Sequence, residues 1–114
     1  MRGLSNLART HNLSTHLDGA RLANAVVKTG NSFSSYGMLF DTISVCLSKG
    51  LGAPIGSVLA GAPDFIERAR RLRKQIGGGM RQSGILAAAG IFALEHNLQR
   101  LNDDHENALF LAEK

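Results

Sequence analysis

Lys49 stands in the run Ser48-Lys49-Gly50-Leu51-Gly52-Ala53-Pro54-Ile55-Gly56, just after an alternating apolar segment. Asp18 stands upstream in His16-Leu17-Asp18-Gly19-Ala20-Arg21. A primary amine can condense with an aldehyde, and a carboxylate can keep a ring nitrogen protonated so that the ring accepts electrons. A lysine that ends one strand and an aspartate that ends an earlier one, in an α/β chain, form the pair that pyridoxal phosphate chemistry requires. Neither residue carries that reading alone. An isolated Ser-Lys-Gly is by default a solvated loop, and an aspartate ahead of a helix is often its N-cap. A third segment, Gly77-Gly78-Gly79-Met80-Arg81-Gln82, places a cation after a glycine run whose backbone can approach a ligand closely.

Composition narrows the classes. The 114 residues are 44% hydrophobic and 19% charged, a globular balance long enough for one small domain. No stretch approaches the ~20 apolar residues of a membrane span, and Met1-Arg2-Gly3-Leu4-Ser5 has no secretory apolar region. Cys46 is the only cysteine, so no internal disulfide forms and a reducing, cytoplasmic setting is expected. No metal site is expected. Of the 13 Lys and Arg residues behind the formal charge of +4, Arg68, Arg70, Arg71, Arg73, Lys74 and Arg81 crowd into one stretch. No aromatic residue lies among them to stack on bases, so a nucleic-acid partner is not expected.

The elements that would position these residues follow from periodicity. Leu4 to His11 has helical spacing, and Leu13 to Leu17 reads as a short strand that delivers Asp18 at its end. Arg21 to Lys28 reads as a helix closed by Gly30, and the serine-rich Asn31 to Gly37 as an exposed loop. In Asp41 to Leu47, Ile43, Val45 and Leu47 alternate with Thr42, Ser44 and Cys46, which predicts a strand with one apolar side. Ser57 to Ala60 can return as a short strand.

Pro63-Asp64 opens a basic helix, with Asp64 as expected N-cap and Glu67 completing a capping box. The glycines at 77–79 stop it. Ile85 to His96 is apolar nearly all round, the pattern of a buried helix. A final helix over 98–114 is expected to turn Leu101, Ala108, Leu109 and Leu111 inward. Three short strands cannot cover that much apolar helix, so the chain reads as the middle of a larger α/β domain.

Three segments carry a resemblance. They are His16 to Ala25 (HLDGARLANA), Val45 to Ser57 (VCLSKGLGAPIGS) and Arg70 to Gly84 (RRLRKQIGGGMRQSG). Together, in this order, they resemble the low-specificity L-threonine aldolases over nearly the whole chain. The resemblance implies part of the large domain of an aspartate-aminotransferase-like fold: a mostly parallel sheet with helices on both faces. It implies pyridoxal 5'-phosphate as cofactor and an amino-acid substrate. The implied assembly is a homodimer or homotetramer with sites shared between subunits.

The resemblance also assigns roles. Lys49 corresponds to the lysine that binds the cofactor aldehyde, and Asp18 to the carboxylate on the ring nitrogen. Arg21 matches an arginine near the cofactor's phenolic oxygen and the substrate carboxylate, where a guanidinium fork suits bidentate anion binding. Lys74 and Arg81 match residues that approach the phosphate from a neighbouring subunit, and Ser48 is a further phosphate donor. The family's phosphate loop and ring-stacking histidine lie upstream of Met1, and its small C-terminal domain beyond Lys114. The implied reaction is retro-aldol cleavage of L-threonine or L-allo-threonine to glycine and acetaldehyde, by the full-length parent rather than by the fragment. A β-eliminating lyase of the same superfamily, or a non-catalytic fragment, is the alternative.

Overall fold

Alternation of apolar and small polar residues makes the central strand, and its neighbours follow from it. The computed structural model describes all 114 residues. They form α1 (Arg2–Thr10), β1 (His16–Gly19), α2 (Leu22–Thr29), α3 (Phe33–Gly37), β2 (Thr42–Cys46), β3 (Ser57–Gly61), α4 (Pro63–Gln75), α5 (Gly84–His96) and α6 (Leu101–Ala112). The sheet has the order β1-β2-β3, with β1 parallel and β3 antiparallel to β2. This is an α/β chain with a small mixed sheet. The return strand expected at Ser57 to Ala60 is β3.

Register fixes which side chains share a face. His16 pairs with Thr42, Asp18 with Ser44, and Cys46 with Ser57. Paired residues project to the same side, so these six share one mostly polar face with Leu59, the partner of Ser44 in β3. Leu17, Ile43, Val45, Val58 and Ala60 make the other, against which Leu22 and Val26 of α2 pack.

Several expectations need correction. β1 begins at His16, because Asn12, at φ 53°, turns the chain after α1 and Leu13 stays exposed. Asp18 therefore lies within the strand, not beyond it. The segment read as a loop contains α3, since the Ser32 hydroxyl accepts the Ser35 N–H and caps a helical turn. Asp64 is not an N-cap. Ala62 holds that position with Pro63 after it, so Asp64 falls in the first turn and Glu67 pairs with Arg71 instead.

The two helices read as inward-facing are also largely open here. In α5 only Gly90 and Ala93 are buried, while Ile85 is 78% exposed. In α6 only Leu101 is buried; Ala108, Leu109 and Leu111 face outward. Their apolar surface exceeds what a three-stranded sheet can cover. Only 11 of 114 residues are buried. The Cα radius of gyration is 16.2 Å, against roughly 13 Å for a compact chain of this length.

What core exists sits beside the Lys49 loop. Ala23 of α2, Leu51 and Ala53 of the loop, Ala93 of α5 and Leu101 of α6 form one cluster. No helix is long and apolar enough to cross a membrane.

Candidate active site

Parallel pairing of β1 with β2 puts their carboxyl ends at one edge of the sheet. In open α/β sheets that edge is where ligands bind. Asp18 lies next to the last residue of β1, and Arg21 two residues past its end. Ser48 and Lys49 follow Cys46, the last residue of β2, and Ser57 opens β3 at the same edge. Asp18, Arg21, Ser48 and Lys49, remote in sequence, are thus brought to one edge, and all four are exposed.

Local geometry aims these groups. The Asp18 Oδ1 accepts the Ala20 N–H at 3.1 Å, a turn that points the carboxylate along the polar face. It does not cap α2, whose N-cap is Arg21 with no side-chain hydrogen bond. His16 Nδ1 and Thr42 Oγ1 lie 2.8 Å apart, so His16 joins the two strands at the far end of the same face.

The Lys49 loop bonds mainly to itself. Leu47 donates to the Gly56 carbonyl at 2.9 Å and accepts from Ala53 N–H at 3.0 Å, and Gly52 N–H donates to the Lys49 carbonyl at 2.8 Å. Gly52 at φ 76° and Gly56 at φ 116° supply backbone that residues with a side chain rarely adopt. Gly50 is also sterically required: a Cβ there would lie 2.7 Å from Leu101 Cδ2.

Cys46 belongs to this edge rather than to the core. Its Sγ lies 3.5 Å from Ser48 Oγ. That hydrogen bond, followed by the Ser48 backbone N–H, the Ser57 hydroxyl and the Lys49 charge, lowers the thiol pKa against an opposing effect of burial. Alternation places Cys46 opposite the apolar residues of its strand, whereas the sequence did not single out Ser57. The signal for both was the two-residue period across the pairing of β2 with β3.

Lys74 and Arg81 are not part of the gathering. They lie on the last turn of α4 and in the loop after it, exposed and with no side-chain hydrogen bond. Arg68, Arg70 and Arg73 make no ion pair, Arg70 and Arg73 lining a cleft between α4 and β3 with Ile66 and Ala69, and Arg71 pairs with Glu67. The His96 and Phe92 rings meet at a tilt with centroids 4.4 Å apart, whereas His105 lies with Nε2 2.9 Å from the Asn24 carbonyl oxygen and ties α6 to α2. No three His, Cys, Asp or Glu side chains converge on a metal-sized site.

The chain's fold and sequence have counterparts among known proteins. The model for the family described as beta-eliminating lyase matches residues 1–114. The chain belongs to the beta-eliminating lyase family. A low specificity L-threonine aldolase of Escherichia coli strain K12 is 56% identical over 106 residues, covering 93% of this chain and 32% of that protein. A low-specificity L-threonine aldolase of Candida albicans is 50% identical over 108 residues, covering 95% and 29%. A crystal structure from Listeria monocytogenes EGD-E, provisionally described as an L-allo-threonine aldolase, superposes with a TM-score of 0.91 at 28% identity, over 98% of this chain and 31% of that one. This beta-eliminating lyase chain spans about a third of the length of the relatives it matches.

Proposed function

We propose that this chain is the middle of the cofactor-binding large domain of a pyridoxal-phosphate-dependent lyase. The parent protein then cleaves L-threonine or L-allo-threonine to glycine and acetaldehyde. The observation that carries the reading is the placement of Asp18 and Lys49 at the carboxyl edge of neighbouring parallel strands. Relatives that share about half of these residues are named threonine aldolases.

The donor set fits the cofactor. An exposed amine, a carboxylate aimed along the polar face and a guanidinium share one edge, matching an aldehyde, a ring nitrogen and anionic oxygens. When bound, the cofactor supplies an aldehyde that captures an amine and a ring that takes up the electron pair left as the substrate Cα–Cβ bond breaks. Lys49 Nζ would hold the aldehyde and the substrate amine would compete for it. Asp18 accepts the hydrogen bond of the ring N–H and keeps that proton on the ring. Arg21 pairs with the substrate carboxylate, and the Ser48 hydroxyl donates to the phosphate.

Lys74 and Arg81, outside this edge, serve the site of a second copy of the chain, in a homodimer or homotetramer. Borohydride reduction of the cofactor-loaded parent, followed by peptide mapping, tests the reading. The label is expected on Lys49 and absent from Lys49→Ala; a label on any other lysine overturns it. The family description favours β-elimination as a second reading. Product analysis separates them: acetaldehyde with glycine supports the aldolase, whereas ammonia with a 2-oxo acid supports elimination.

A further inference from the structure

The turn that carries Lys49 is held from outside the sheet at one polar point. Asn97, the residue that ends α5, donates from Nδ2 to the Leu51 carbonyl oxygen at 2.7 Å. Its own backbone N–H donates to the Ala93 carbonyl at 3.0 Å, so the helix fixes where that amide stands. Leu51 is the third residue of the turn closed by Gly52 N–H on the Lys49 carbonyl. Its side chain is 1% exposed, plugged between α2, α5 and α6.

The turn therefore has two anchors, one apolar and one polar. The apolar anchor fixes its depth. A leucine plug can rotate in its socket, whereas a hydrogen bond to the adjacent carbonyl fixes the plane of the peptide and hence the direction in which Lys49 leaves the backbone.

We infer that Asn97 is a positioning residue for Lys49: its amide sets the orientation of the 49–52 turn and so the place of Nζ relative to Asp18. The inference rests on the cofactor role proposed for Lys49. Asn97 touches no reacting group. Removing its donor leaves the Leu51 carbonyl unpaired at a half-buried point and frees the turn, while the plug and the β1–β2 ladder stay.

Asn97→Ala and the isosteric Asn97→Asp, which cannot donate from that position when ionised, test this in the full-length parent. Hydrogen exchange is expected to quicken about tenfold at the Gly52 and Ala53 amides, with the β1 and β2 amides unchanged. Attachment of pyridoxal phosphate to the apo-protein, followed by absorbance, is expected to slow about tenfold. Wild-type exchange at Gly52 and Ala53, quickening spread evenly over the strands, or an unchanged attachment rate in both variants overturns the inference. Borohydride mapping of the wild type separates the two claims. A label away from Lys49 removes the cofactor role itself, whereas a label on Lys49 with wild-type behaviour in both variants removes only the part given to Asn97.

Discussion

At the scale of single residues, Asp18 offers the sharpest test because its backbone contact survives the obvious substitution. In Asp18→Asn the side-chain oxygen can still accept the Ala20 N–H, so the turn after β1 is kept. An amide cannot hold a ring nitrogen protonated. Cofactor binding should persist while turnover falls on the order of 10- to 100-fold, as expected for losing one charge-assisted hydrogen bond. Steady-state rates within twofold of wild type would remove Asp18 from the ring nitrogen. Asp18 and Lys49 were legible in the sequence as residues at strand ends, and Arg21 and Ser48 through the resemblance of the segments that hold them. That they meet was not, because it depends on the pairing of His16 with Thr42, which no local pattern announces. The surroundings of Cys46 were hidden for a related reason. Alternation gave its face, but the hydroxyl groups of Ser48 and Ser57 beside it come from the loop and from β3.

At the scale of elements, the pairing of β1 with β2 depends on a clasp at the end opposite the site. The Asp41 carboxylate accepts both the Thr15 N–H, at 2.6 Å, and the Thr15 hydroxyl, at 2.8 Å, while Asp41 N–H donates back to Thr15 Oγ1 at 3.1 Å. These bonds, the Thr15 backbone one first, hold the Asp41 carboxyl below its ordinary pKa of 3.8. Between the folded and unfolded values the unfolded chain binds more protons. The contribution of the clasp is therefore complete above about pH 5 and fades as pH falls through the lowered value. Urea midpoints of the parent measured from pH 6 downward should decline in that acid window, and Asp41→Asn should flatten this part of the decline. Identical acid profiles for both proteins would show that the clasp does not hold the strands. Helix ends were the least legible elements. Asp64 and Glu67 fit a capping box in sequence, yet Pro63, with its preset φ, starts the helix two residues earlier. The Ser32 cap of α3 was hidden in a run of serines, any of which could have taken the part.

At the scale of the whole molecule, the chain is a plate of 48 × 43 × 22 Å with much of α5 and α6 uncovered. Expressed alone, it should associate through those apolar faces. Sedimentation across a range of concentrations measures this, and a monomer with a sharp, cooperative thermal transition would identify a self-sufficient domain. The apolar run of Ile85 to Leu94 was legible as surface that wants covering; what covers it lies outside the contacts these residues make with one another. The same scale tests Lys74 and Arg81. Lys49→Ala and Arg81→Ala parents, each inactive alone, should recover activity when mixed, since one interface then joins an intact Lys49 to an intact Arg81. No recovery in verified mixed oligomers would place Arg81 outside any shared site.

The largest fully enclosed side chains are Leu51 and Leu101, and the first of them belongs to the loop of Lys49. The core and the placement of Lys49 therefore share one anchor. If the proposed cofactor binds and steadies this loop, the melting temperature is expected to rise with occupancy. The traffic runs the other way as well: repacking α6 around Leu101 offers an engineer a handle on cofactor retention without altering any residue that meets the ligand. Selection for heat tolerance, applied to positions along α6, would then be selection on the catalyst itself.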